Sequence, residues 1–205
     1  MRTTAVGPAT ETAISRAASL GLCLVGIAIA VGGCGRSGNA PRTAAAPTFA
    51  WLQPTAVPSG WLSKRIAGGT TLSYPRSWRI VHGDPGTATA ALLAGDGRYL
   101  GYLNLTPRQG AERQTNWASF RPHHNAEEGE RGVTLQASAT GLRFRRGQGA
   151  CVQDAYTTVA GTRYIEIACL VGGGRAESVI VGAAPSEDWP AQAPVIERAI
   201  SALQT

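Results

Sequence analysis

From residue 61 onward, apolar side chains fall on every second position in short runs broken by glycine, which is the period of strands buried on one face. Leu72 and Tyr74 alternate with Thr71 and Ser73, and Val133, Leu135 and Ala137 alternate with Thr134, Gln136 and Ser138. The pattern predicts strands over 61–67, 70–74, 87–93, 98–106, 133–138, 151–159, 163–171 and 177–183. Gly68–Gly69, Gly95–Asp96–Gly97 and Gly172–Gly174 supply turns between them. Two segments follow the helical period instead. Trp117, Phe120 and His124 recur at helical spacing, with Pro122 expected to kink or divide that element. From about Pro194 onward, Val195, Ile196, Ala199, Ile200 and Leu203 form the apolar stripe of a closing helix. Hairpin-linked strands with one helix inserted and one terminal predict an α+β fold, an antiparallel β-sheet flanked by helices.

The strands at 151–159 and 163–171 carry Cys151 and Cys169. If Val159, Ala160 and Gly161 form a three-residue loop with Gly161 in the left-handed position, Thr158 faces Thr162. Counting outward from that pair sets Cys151 directly opposite Cys169. The two would form a non-hydrogen-bonded pair with Cα atoms roughly 4.5 Å apart, at the short end of the disulfide range. A disulfide between them is the expected staple. Two free thiols or part of a metal site are the alternatives, although no further ligand at metal spacing stands nearby.

The N-terminus has a different character. Arg2 and Arg16 precede a run of 17 uncharged residues, Ala17 to Gly33, rich in Leu, Ile and Val. That combination is an export signal and not part of a fold. The run ends Val31, Gly32, Gly33, Cys34, which resembles the bacterial lipobox: an aliphatic residue, two small ones, then the cysteine to be lipidated. On this reading residues 1–33 are a lipoprotein signal peptide and Cys34 carries a diacylglyceryl group. Two acyl chains at about 0.8 kcal/mol per buried methylene make a stable anchor. An uncleaved anchor and plain secretion are the alternatives, since the uncharged run approaches bilayer-spanning length. All three place the remainder outside the cytoplasm, where a disulfide can persist, and the lipid anchor places it at the extracytoplasmic face of the cell membrane. Gly35 to Ala50 shows small residues and proline without apolar periodicity, so residues 34–57 read as a flexible tether and 58–205 as the folded domain.

Within that domain, Leu72 to Ile80 reads Leu-Ser-Tyr-Pro-Arg-Ser-Trp-Arg-Ile. It resembles the opening of PsbP-like domains, including LpqN-type bacterial lipoproteins, where a strand ends in Tyr-Pro, two residues follow, and a Trp starts the next strand. The resemblance covers residues 58–205 and implies an α/β/α sandwich around an antiparallel sheet. Tyr74 and Trp78 are then core residues packed around a turn, and no functional residue of the family carries over to this chain.

Charge adds little to the picture. The chain holds 19 basic and 13 acidic residues, and every basic one except Lys64 is Arg. The densest group is Arg143, Arg145 and Arg146; on a strand, Arg143 and Arg145 share a solvated face opposite Leu142 and Phe144. With the remaining Arg scattered, nucleic acid is not an expected partner. The sequence contains no nucleophile elbow, zinc-protease, P-loop or calcium-loop motif. His123, His124, Asn125, Glu127, Glu128 and Glu130 form one polar cluster, in which His124 and Glu128 would lie one helical turn apart. A solvated helix end accounts for it, with a metal or proton-transfer site as the rival reading. The expectation is a non-catalytic binding or accessory module of the cell envelope, held to the membrane by Cys34, with no cofactor and no metal. Its ligand would be an envelope protein, a lipid or a cell-wall polymer. The alternatives are a small-lipid or cell-wall-polymer carrier and, behind that, an envelope hydrolase or metalloenzyme using His123 and His124.

Overall fold

The computed structural model describes residues 49–173 and 176–205. Nine strands and two helices follow in the order β1 (Leu62–Arg65), β2 (Thr71–Tyr74), β3 (Arg79–Val81), β4 (Ala88–Leu93), β5 (Tyr99–Pro107), α1 (Trp117–Glu127), β6 (Arg131–Phe144), β7 (Gly147–Thr157), β8 (Arg163–Gly172), β9 (Ser178–Pro185) and α2 (Trp189–Ser201). Seven of the strands form one antiparallel sheet in the order β3-β4-β5-β9-β8-β7-β6. Two meanders, β3 to β5 and β6 to β9, therefore meet at the β5–β9 pair. Strands β1 and β2 form a separate hairpin. The fold is α+β.

Alternation along each strand sorts side chains onto two faces. Leu103 and Leu105 of β5, Ile180 of β9, Ile167 and Cys169 of β8 and Cys151 of β7 join Ile196, Ile200 and Leu203 in one core beneath α2, with Leu72 and Tyr74 of β2. The approach of α2 is close enough that a Cβ at Gly182 would collide with Ile196, so glycine there is a packing requirement. On the opposite face, Ala150, Val152, Ala168, Leu170, Val179 and Val181 pack under Trp117 of α1, with Phe120 partly buried beside them. Helices on both faces make the α/β/α sandwich.

The hairpin register follows from its turn. Thr158 N–H donates to Thr162 C=O at 2.9 Å, and Gly161 adopts φ +89°. Cys151 then pairs with Cys169. Their sulfurs are bonded and their Cα atoms lie 4.1 Å apart.

Several expectations need correction. The folded part begins before residue 58: Phe49 and Leu52 are buried in the α2-face core, and Thr55 N–H donates to Ser201 C=O at 3.1 Å. Two large apolar side chains within an otherwise small-residue stretch are reason enough for it to pack. Pro122 does not divide α1: the helix runs from Trp117 through it to Glu127, with Trp117 and Arg121 on its N-terminal side bonded to the sheet. Likewise α2 starts at Trp189, five residues before Pro194, with Pro190 in the first turn, where no N–H is needed. Strand β6 extends to Phe144, leaving Arg145 and Arg146 in the turn and not on a strand face. As a long edge strand, β6 is interrupted by three register shifts, which blunt it against pairing with another chain.

Candidate functional site

The two helices cover unequal amounts of sheet. Helix α1 packs over β6 and β7 and reaches β8 and β9 only through Trp117 and Arg121, so the β4–β5 part of its face stays open up to the edge of β9. A groove of about 490 Å³ lies there. Its floor follows from the alternation that buries Leu103 and Leu105: the intervening Tyr102, Asn104 and Thr106 face the groove, with Thr89 from β4 and Val181 from β9. Asn104 and Thr89 are cross-strand partners, and the Asn104 amide donates to Thr89 Oγ1 at 2.7 Å. The wall is α1, where Trp117 stacks on Phe120 (6.0 Å) and Phe120 on His124 (5.7 Å). Across the groove, Glu112 is buried and accepts backbone N–H groups of Gln109 (2.8 Å) and Gly110 (2.7 Å). Burial alone would raise the Glu112 carboxyl, but these N–H donors and Arg108 hold it below its ordinary value.

Beneath α1 lies a charged network in the sheet itself. Glu166 and Asp154 are cross-strand partners on β8 and β7, both fully buried on the same face. Two carboxylates so placed repel each other. Arg121 of α1 answers one of them with a bidentate pair, donating from Nε (2.7 Å) and Nη2 (2.9 Å) to Glu166. The Tyr156 hydroxyl donates to Glu166 at 3.2 Å, and its oxygen lies 3.4 Å from that of Tyr102. Although burial opposes its charge, the adjoining Glu166 keeps the Arg121 guanidinium above its ordinary value. Asp154 receives only the Asn125 amide, at 3.2 Å, and its Oδ1 has no partner among the described residues. Burial, then Glu166, push the Asp154 carboxyl up to about 7. Proton transfer to a substrate needs contact with it; Asp154, at 0% exposure, is closed off from both the groove and the solvent.

The sequence-derived candidates are dispersed. Cys34 and Cys23 lie outside the described residues. Cys151 and Cys169 are in the α2-face core, remote in function from the groove. His123 and His124 point apart: His123 pairs with Glu127 (3.1 Å) on the exposed side of α1, and His124 with Glu128 (3.3 Å) at the groove wall. Among the described residues, no three His, Cys, Asp or Glu side chains are grouped to hold a metal ion. None of those residues forms a helix long and apolar enough to cross a membrane.

Sequence reasoning missed Arg121, Asp154, Glu166 and the tyrosines. The signal was present in the hairpin: the register that opposes Cys151 to Cys169 also opposes Asp154 to Glu166 and Tyr156 to Tyr164. Arg121 had no such signal, since its partner is distant in sequence.

These features define an α/β/α sandwich with one closed and one partly open sheet face. Compared with solved structures, the chain is similar to the cyanobacterial PsbP (CyanoP) of Synechocystis, with a TM-score of 0.52 and 11% identity over 85% of this chain and 98% of that one. The fold is PsbP-like. A protein of unknown function from Pseudomonas aeruginosa matches at TM-score 0.47 and 16% identity, over 71% of this chain and 96% of that one. LpqN of Mycobacterium tuberculosis, described as involved in cell envelope biogenesis, matches at TM-score 0.42 and 15% identity, over 67% and 87%. No protein-family model and no curated protein sequence matches the chain.

Proposed function

We propose that the chain is a lipid-anchored module on the extracytoplasmic face of the cell membrane, binding a ligand or partner in the groove beside α1 without transforming it. The groove carries this reading. Its floor offers hydroxyl and amide groups in Thr89, Asn104 and Thr106, and its wall offers the flank of Phe120, a mixture suited to recognition. The lipobox-like Cys34 and the oxidised hairpin support export and anchoring.

The test uses full-length protein from its producing cells, with intact and native masses recorded beside Cys34→Ala and Thr106→Trp variants. A lipid-sized mass absent from Cys34→Ala, and a copurified molecule absent from Thr106→Trp, are the expected results. If no lipid mass appears, the anchor is wrong. If the copurified molecule survives Thr106→Trp, the groove is not its site. A lipid or glycan as that molecule would select the carrier form of the reading.

A further inference from the structure

A second recess, of about 300 Å³, lies at the neighbouring end of the same sheet face and shares Tyr102 with the groove. Four tyrosines line it: Tyr99 and Tyr102 from β5, Tyr156 from β7 and Tyr164 from β8. Their planes are set at differing angles around the space. Tyr99 meets Tyr102 at 89° with centroids 6.4 Å apart, Tyr102 meets Tyr164 at 50° and 6.3 Å, and Tyr164 stacks on Tyr156 at 7° and 6.1 Å. Glu130, just beyond α1, completes the lining with Thr89 and Thr158. Its Oε2 is buried and has no hydrogen-bond partner among the described residues.

We propose that this recess is an aromatic cage for an alkylammonium group, a quaternary ammonium above all, with Glu130 as its counter-charge. Ring faces carry negative potential and attract a cation within about 6 Å of their centroids, most strongly where water is excluded. A quaternary ammonium has no N–H to satisfy, so ring faces can hold it without calling on the hydroxyls of Thr89 and Thr158. Two of the protein's own cations near the recess are engaged elsewhere: Arg121 by Glu166, and Arg98 by Asp188 (3.0 Å) and Glu187 (3.4 Å). The Glu130 carboxyl is raised by burial and then by Glu128 and Glu166, so an arriving cation would relieve it. The cage goes beyond the groove reading and stands without it, because Thr106→Trp alters the groove floor and leaves the tyrosines in place.

The full chain is titrated with choline and with its neutral isostere 3,3-dimethylbutan-1-ol, following the tyrosine ring resonances. Choline is expected to bind saturably in the millimolar range and the alcohol about tenfold more weakly. Tyr99→Leu, at the most exposed ring (38%), and Glu130→Gln each weaken choline by about fivefold while the amide spectrum stays folded. Phosphatidylcholine vesicles are compared with the free headgroup. Because the lipid anchor holds every variant on vesicles, the readout there is the tyrosine ring shift: one given by phosphatidylcholine but not by phosphatidylglycerol vesicles, and absent from Tyr99→Leu, assigns the ammonium to a lipid, and a response to free choline alone assigns it to a soluble molecule. Equal binding of choline and the alcohol, or no saturable shift up to about 50 mM, overturns the cage.

Discussion

The two faces of the seven-stranded sheet are built from one alternation and end up in opposite states. Beneath α2, residues such as Ile167, Ile180, Ile196 and Ile200 interlock with a disulfide among them, and the face is closed. Beneath α1, the same strands present Tyr102, Asn104, Glu166, Asp154 and Tyr156, and the helix seats itself through Arg121 and Asn125. Apolar closure maximises buried area and needs no particular partner. Charged seating fixes where α1 stands and leaves the rest of the face bare. A binding surface can be kept open only if its helix is held by a few specific contacts, and the α1 face supplies them.

That contrast breaks first at Arg121. Replacing it with Ala strands Glu166, at 0% exposure, with only the Tyr156 hydroxyl, and breaking such a buried pair costs about 3–5 kcal/mol. Urea unfolding checks this. A loss below about 1 kcal/mol would mean that the Trp117 and Phe120 contacts alone hold α1. The double change Arg121→Met with Glu166→Leu should recover most of the loss, since an apolar pair of similar volume removes both desolvation penalties.

Asp154 gives the next largest effect, and it depends on pH. Its carboxyl ordinarily titrates at 3.8 and is raised to about 7 in the fold, so folding favours the protonated form. The contribution is fully present below pH 4 and is lost as pH rises through 7, by at most about 4 kcal/mol. Glu130 and Glu197 are shifted the same way and add to this slope, while Glu112 is shifted the opposite way and subtracts from it. Asp154→Asn keeps an acceptor for Asn125 and removes the ionisation. It should raise the melting temperature at pH 8 and flatten the profile between pH 4 and 8; an unchanged slope would assign that slope to other groups.

The closed face yields a smaller loss. With the bonded cysteines separated by 18 in sequence, reduction or a Cys151→Ala, Cys169→Ala pair should cost about 3 kcal/mol by the chain-entropy account. The comparison sharpens if this loss adds to that of Arg121→Ala, as it should for side chains on opposite faces of the sheet with different partners.

Strand positions were legible because a period of two survives wherever one face is buried, and the hairpin from Cys151 to Cys169 was legible to the residue because its loop fixes its register. What the pattern could not supply was anything carried by contacts across the fold. Phe49 and Leu52 read as tether until the α2 face was there to receive them. Glu166 read as one more alternating position until Arg121, 45 residues away, lay over it. The groove is the space left by a helix that covers part of a sheet, and no periodicity encodes an uncovered area.

The smallest effect belongs to the histidines, the most conspicuous polar cluster in the sequence. His124 and Glu128 are joined at 3.3 Å, with side chains 40% and 56% exposed. A pair so solvated contributes a few tenths of a kcal/mol, so His124→Ala should shift stability at neutral pH by less than about 0.5 kcal/mol. Because His124 also stacks on Phe120 at the groove wall, the same variant separates two roles. Unchanged stability with weakened ligand retention places the imidazole in the binding wall and sharpens the contrast between the faces. A metal retained through dialysis by wild type and lost from His124→Ala would instead restore the metalloenzyme reading, and would make the open face a site of chemistry and not of binding alone.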